Sequence, residues 1–169
     1  KAMVENRTHY LPTPGIPQLR KAVAEKMRTK NHIPVESDDE VVINNGGTHG
    51  LYDVIHALLE PGDEMIVPGP EWPPTMAICQ AAQGVPVQVP LHERLGWRWD
   101  LDEVERAITP KTRVLYLNSP NNPTGGILTR ADIERLAAIA RERNLWVISD
   151  EAYEDLLFTG EHVSIASLP

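Results

Sequence analysis

Two polar segments of the sequence contain residue types suited to catalysis, and each follows a short apolar run. Residues 118–125 read Asn-Ser-Pro-Asn-Asn-Pro-Thr-Gly, and residues 150–153 read Asp-Glu-Ala-Tyr. Two X-Pro steps hold the first segment extended and leave an amide side chain at its apolar run's end. A carboxylate at the end of a buried strand is costly unless a cation meets it. Asp150 is therefore a candidate partner for a cationic group, with a turn or helix-capping role as the alternative.

A third segment, Gly46-Gly47-Thr48, has the features of an anion site. Glycines let the backbone approach an anion closely, and a helix is predicted to begin here. The N-terminus of a helix offers unpaired N–H groups and a favourable dipole. The segment matches neither the dinucleotide motif G-x-G-x-x-G nor the phosphate loop G-x-x-x-x-G-K-[ST]. A phosphate site and a plain turn both remain open.

Short apolar runs, some with strand and some with helix spacing, indicate how these three polar segments are positioned. Strands are predicted at residues 41–43, 65–67, 85–89, 114–117 and 145–148, and helices at 16–30, 51–59, 73–83, 101–108 and after Thr129. Pro86 predicts an edge position for its strand, and Thr129 with Asp132 predicts a capping box. Continuously apolar strands between helices are typical of an α/β domain with a mainly parallel sheet flanked by helices. Since ligands bind beyond the carboxyl ends of such strands, we expect the three polar segments to meet there.

The composition excludes several classes of protein. The chain has 169 residues, of which 41% are hydrophobic and 24% charged, with a net charge of −8. This balance disfavours a nucleic-acid partner or an anionic membrane surface, and the apolar runs are too short to span a bilayer. The single cysteine, Cys79, fits a reducing compartment. Because the N-terminus shows no signal-peptide pattern, we expect a cytoplasmic protein.

One helix face has a metal-binding pattern. His49, Asp53 and His56 recur at i, i+4 and i+7, and two imidazoles with a carboxylate can bind zinc. The alternative interpretation is a solvated polar face opposite an apolar one.

Six segments together resemble the class I/II, aspartate aminotransferase-like family of pyridoxal-phosphate enzymes of fold type I. They are Tyr10-x-x-x-x-Gly15-x-x-x-Leu19-Arg20 and residues 45–48, 61–64, 70–73, 119–125 and 150–153. The resemblance spans nearly the whole chain. It implies that residues 1–169 are the N-terminal part of the cofactor-binding large domain, with an interface segment (1–15) and an α/β core (16–169). It also implies a homodimer that transfers an amino group between an amino acid and a 2-oxo acid.

The resemblance also implies roles for individual residues around pyridoxal 5′-phosphate. Asp150 would pair with the pyridinium nitrogen and keep it protonated, and with Tyr153 it forms the implied catalytic set. Asn122 and Tyr153 would hydrogen-bond the 3′-oxygen, and Trp72 would stack on the ring.

Four further residues are implied to bind the cofactor phosphate. Gly46, Gly47 and Thr48 would bind it within one chain. Tyr10 would reach the phosphate of the neighbouring subunit.

The family's Schiff-base lysine follows the matching aspartate by roughly thirty residues, whereas this sequence ends at Pro169. All five lysines precede Asp150. We therefore expect a piece of a longer aminotransferase that is inactive alone. A non-catalytic cofactor-binding or heterodimeric partner module is the second hypothesis, and a metal-binding protein using His49, Asp53 and His56 is the third.

Overall fold

A computed structural model describes residues 1–169 and contains five strands and five longer helices. The strands are β1 (Glu64–Gly69), β2 (Val85–His92), β3 (Arg98–Trp99), β4 (Thr112–Asn118) and β5 (Trp146–Asp150). The helices are α1 (Pro17–Thr29), α2 (Gly47–Leu58), α3 (Pro73–Ala81), α4 (Leu101–Ala107) and α5 (Arg130–Arg143). No helix combines the length and apolar character needed to cross a bilayer.

The strands form one sheet in the order β3-β2-β1-β4-β5. β1 pairs in parallel with both β2 and β4, and β4 pairs in parallel with β5, whereas the short β3 is antiparallel to β2. The prediction of a mainly parallel sheet is confirmed. The predicted edge position of β2 is wrong for the strand as a whole, because β3 lies outside it; β3 pairs only with Leu91 and His92, however, so at Pro86 that side of β2 is free and needs no N–H donor.

Helices cover both faces of the sheet because neighbouring strand residues point to opposite sides. On one face, Met65 and Val67 of β1 pack with residues of α2 and α3 in one apolar cluster. On the other face, Ile66 packs with residues of α4 and α5, including Leu136, in a second cluster. The central strands are buried on both faces, which explains why their sequences are continuously apolar.

Local signals set most helix ends. The Thr129 side chain accepts a hydrogen bond from the Asp132 N–H, and the Asp132 side chain accepts one from the Thr129 N–H, which confirms the predicted capping box. Helix α5 ends at Asn144 in the left-handed conformation.

The predicted strand at residues 41–43 is wrong. The segment is extended but pairs with no strand, because its polar backbone groups have other partners. The Ile43 N–H donates to the Pro14 carbonyl at 2.9 Å, and the Val41 carbonyl accepts from the Arg20 Nε at 2.9 Å. This segment therefore fastens the N-terminal region to α1 rather than extending the sheet.

Leu136 offers a test of the α4–α5 side of the core. Its side chain is 0% exposed, so we expect Leu136→Ala to lower the free energy of unfolding by about 2–5 kcal/mol through lost burial and a residual cavity. Urea unfolding measures the change. Leu156, 64% exposed, is the matched control, and Leu156→Ala should change stability by less than about 0.5 kcal/mol. Equal losses in the two variants would contradict this packing.

Candidate active site

A cavity of about 240 Å³ lies at the carboxyl ends of the central strands and the N-terminus of α2. The sequence-predicted residues that line it are Gly47, Thr48, Trp72, Asn122, Asp150 and Tyr153. The other lining residues, which the sequence analysis did not single out, are Leu51, Glu71, Asn118 and Ala152. The three polar segments therefore meet where the sheet topology requires.

Asp150 ends β5 with its carboxylate fixed by two donors. The Ala152 N–H donates to Oδ1 at 3.1 Å, and the Tyr116 hydroxyl donates to Oδ2 at 3.0 Å. Burial, followed by the negative charges of Asp150 and Glu71, raises the pKa of the fully buried Tyr116. Tyr116 therefore stays protonated and acts as a donor. No lysine, arginine or histidine lines the cavity, so Asp150 faces it without a cationic partner.

Asn118 organises the loop that follows β4. It lies opposite Asp150 in the parallel register, and its Nδ2 donates to the Asp150 carbonyl at 3.2 Å. Its Oδ1 accepts from the Asn122 N–H at 2.7 Å and from the Asn121 Nδ2 at 3.3 Å. One buried amide thus connects the ends of β4 and β5 and orients Asn122.

Asn122 and Tyr153 form a polar pair on the cavity wall. The Asn122 Nδ2 donates to the Tyr153 hydroxyl at 3.4 Å. The amide and the phenol both line the cavity, so they can bind one oxygen of a ligand from neighbouring positions.

The first turn of α2 lines the cavity and has the features of an anion site. Gly46 precedes the helix with φ = 82°, a conformation that favours glycine, and no side chain caps the helix. The first N–H groups of a helix have no acceptor within it. Gly47 and Thr48 line the cavity, and a Cβ added at Gly47 would meet nothing within 4 Å. Gly46 itself does not line the cavity and instead sets the direction of this turn.

Glu71 is an acidic residue of the cavity that the sequence analysis missed. Its side chain is 5% exposed, and Oε2 accepts from the Asn121 Nδ2 at 3.1 Å, while Oε1 has no hydrogen-bond partner. Burial, reinforced by the negative charge of Asp150, raises the pKa of Glu71 to about 7, although the hydrogen bond from Asn121 acts in the opposite direction. The only sequence signal was a carboxylate placed directly before Trp72 in a proline-flanked segment.

Two other predicted groups lie outside the cavity. Tyr10 is fully exposed. On α2, the His49 Nε2 lies 3.5 Å from the Asp53 Oδ2, but the His56 Nδ1 donates to the Tyr52 carbonyl and its ring stacks on Tyr52. The structure therefore does not gather the three α2 residues of the metal hypothesis.

Another group of three residues could bind a metal ion by its spacing. The potential ligand atoms of Glu151, Glu154 and His162 all lie within 4.8 Å of one another. These side chains already have partners. The Glu151 carboxylate is hydrogen-bonded to the His162 Nε2 and to the Ser164 hydroxyl. The Glu154 carboxylate accepts hydrogen bonds from Lys26 and Asn31.

Comparison with known proteins identifies the family. The sequence model of aminotransferase class I and II matches residues 1–168. The chain belongs to this family. It is 41% identical over 168 residues to a probable aspartate/prephenate aminotransferase of Thermus aquaticus, covering 99% of this chain and 44% of the relative. It is 42% identical over 168 residues to an arginine–pyruvate transaminase of Pseudomonas aeruginosa, covering 99% and 42%.

The fold is that of solved fold type I aminotransferases. An alanine aminotransferase from Pyrococcus furiosus superposes with a TM-score of 0.96 at 36% identity, covering 99% of this chain and 42% of that one. The chain therefore spans less than half the length of the relatives it matches.

Asn118 offers a test of the loop architecture. Asn118→Ala removes three hydrogen bonds from a buried position, so we expect a loss of about 1–3 kcal/mol in the free energy of unfolding. Amide exchange at Asn122 should also become faster. Asn45→Ala, at an exposed asparagine, is the control and should change neither quantity. Unchanged exchange in Asn118→Ala would show that this amide does not hold the loop.

Proposed function

We propose that this chain is the N-terminal part of the pyridoxal-phosphate-binding domain of an aminotransferase that transfers an amino group between an amino acid and a 2-oxo acid. Residues 1–15 form an interface segment and residues 16–169 the α/β core. The observation that carries the proposal is Asp150, a carboxylate fixed by Tyr116 and Ala152 that faces the cavity without a cationic partner.

The chemistry of the cavity fits pyridoxal 5′-phosphate. The cofactor needs an anion site, a partner for its ring nitrogen and donors for its ring oxygen. The α2 N-terminus, Asp150 and the Asn122–Tyr153 pair supply these from one cavity. When bound, the cofactor supplies a ring that accepts electrons from the substrate's α-carbon.

Each residue then has a specific task. Asp150 holds the proton on the ring nitrogen, because an adjacent carboxylate stabilises the charged form of a base. Asn122 and Tyr153 bind the ring oxygen and fix the tilt of the ring. Trp72, which packs against the core at the cavity wall, covers one ring face and excludes water.

The phosphate is bound by backbone groups. The N–H groups of Gly47 and Thr48 bind it at the helix N-terminus. Gly46 acts through its backbone conformation, and Tyr10, fully exposed in this chain, reaches the phosphate of a second subunit.

The lysine that bears the cofactor comes from outside these residues. No lysine lines the cavity, and Lys26 and Lys30 form ion pairs with Glu154 and Asp155. We therefore assign the proton-shuttling amine to another part of the full-length protein. The relatives named above differ in the amino acids in their names, so the proposal stops at the substrate class.

Asp150→Asn in the full-length protein tests the central assignment. Loss of the carboxylate leaves the buried ring cation unpaired, at a cost of about 3–5 kcal/mol. We expect kcat to fall by roughly 10²–10⁴-fold. Asp155→Asn, an exposed carboxylate that pairs with Lys30, is the control and should retain kcat.

A near-normal kcat for Asp150→Asn would contradict the assignment. If the unaltered full-length protein binds the cofactor but does not transaminate any amino acid, the binding-module hypothesis is correct instead.

Tyr10 tests the shared site. At limiting cofactor, we expect Tyr10→Phe to be poorly active because its partner's phosphate loses a hydrogen bond. Subunit exchange between Tyr10→Phe and Asp150→Asn should restore activity, since each hybrid dimer contains one site with both native residues. The unmixed variants and a mixture prevented from exchanging are the controls. No recovery after demonstrated exchange would place Tyr10 in its own subunit's site or in neither.

A further inference from the structure

Among the buried residues of the chain, Glu71 is the only one with an acidic side chain. None of the residue roles proposed above involves it. It lies between the end of β1 and the start of α3, where it lines the cavity beside Trp72. Its Oε1 has no partner, and no basic side chain lines the same cavity. A buried carboxylate without a cation is costly, so its protonation state requires an explanation.

Asp150 makes an ionised Glu71 still less favourable. The two carboxyl groups line one cavity, and Asp150 raises the pKa of Glu71. Tyr116 has one hydroxyl proton, and it donates this proton to the Asp150 Oδ2. Two carboxyl groups that share a dry site relieve their repulsion when one of them takes up a proton.

The hydrogen bonds indicate which carboxyl takes the proton. Asp150 accepts from a hydroxyl and from a backbone N–H, so both of its oxygens are supplied with donors. Glu71 is more deeply buried and has an oxygen that accepts nothing. A proton on that oxygen leaves Asp150, whose two oxygens already have donors, as the ionised carboxyl of the pair.

We propose that Glu71 is a positioning residue that holds a proton on Oε1, so that Asp150, whose carboxylate accepts from Tyr116, is the single anion of the cavity. This inference rests on the proposed function for the ring that Asp150 meets. The groups facing Glu71 are Tyr116 from β4, Asp150 from β5 and the amide of Asn121. No proton leaves the network during binding, and Glu71 acts only through its neighbours.

The first experiment measures the proton directly, in full-length protein without cofactor. Stability is compared between the unaltered protein and Glu71→Gln from pH 4 to pH 8. Because the pKa of Glu71 is raised to about 7 by folding, the folded state binds a proton that the unfolded state releases above its ordinary pKa near 4.5. As the pH rises from about 4.5 to about 7, the unaltered protein should therefore lose stability relative to Glu71→Gln. The relative unfolding constant should change by about tenfold per pH unit and then level off above pH 7.

Asp132→Asn is the matched control. The Asp132 carboxyl has a lowered pKa; burial opposes this shift, but hydrogen bonds from Thr129 and Arg98 outweigh it. Its contribution to stability is present above the ordinary pKa of aspartate and is lost as the pH falls through the lowered value. The difference between Asp132→Asn and the unaltered protein should thus be constant from pH 5 to pH 8. A constant difference for Glu71→Gln as well would show that Glu71 is ionised throughout and would overturn the proposal.

A second experiment tests the link to Asp150. In an Asp150→Asn background the neighbouring anion is gone. The pH range over which Glu71→Gln gains stability relative to the protein that keeps Glu71 should therefore move to lower pH. An unmoved window would show that the two carboxyl groups are independent and would contradict the positioning role. Both stability experiments are made without cofactor, so they succeed or fail independently of the proposed aminotransferase function.

The third experiment asks what the proton does for binding. The dissociation constant of pyridoxal phosphate is measured at pH 7 by equilibrium dialysis. We expect Glu71→Gln, which keeps a neutral donor at this position, to bind within about threefold of the unaltered protein, and Glu71→Ala to bind at least tenfold more weakly. Equal weakening in both variants would show that a negative charge is required and would overturn the proposal. If Glu71→Ala does not fold, the Glu71→Gln result alone decides. If the unaltered protein does not bind the cofactor, the proposed function fails while the stability profiles still decide the state of Glu71.

Discussion

The parallel pairing of β4 with β5 is the constraint on which the cavity depends. It brings Asn118 and Asp150 to the same level of the sheet, where both strands end. A shift by one residue would turn the Asp150 side chain to the opposite face, away from Tyr116. The Tyr116–Asp150 hydrogen bond thus depends on a single register, which the buried residues of β4 and Ile148 of β5 favour.

The same constraint determines how polar groups are accommodated in an apolar setting. The Asn118 side chain binds the carbonyl at the end of β5 and, in addition, fixes the loop that supplies Asn122. The charged and anion-binding groups lie at different places in the cavity. A negative carboxylate comes from β5 and a positive helix N-terminus from α2. A ligand with a cationic ring and an anionic tail matches this distribution, which a uniformly charged ligand does not.

Much of this arrangement could be predicted from the sequence. Continuously apolar strands and the polar residues that follow them were sufficient to place Asp150 and Asn122 at one edge of a parallel sheet. The strand predicted at 41–43 was wrong because its hydrogen-bond partners, Pro14 and Arg20, are distant in sequence and leave no local pattern. Glu71 escaped notice for a similar reason. Its buried carboxylate binds Asn121, fifty residues later in the sequence, and no spacing within its own segment records that contact.

The way in which the fold positions the cavity residues also explains why the same fold is found in relatives that are named for different amino acids. The residues that meet the cofactor in our proposal act largely through backbone position, as at Gly47 and Thr48, or through side chains held at strand ends, as at Asp150. Such positions depend on the fold of the whole chain, which superposes on a solved relative with a TM-score of 0.96 despite only 36% identity. A fold that holds polar residues at strand ends in this way can serve relatives whose names refer to different amino acids.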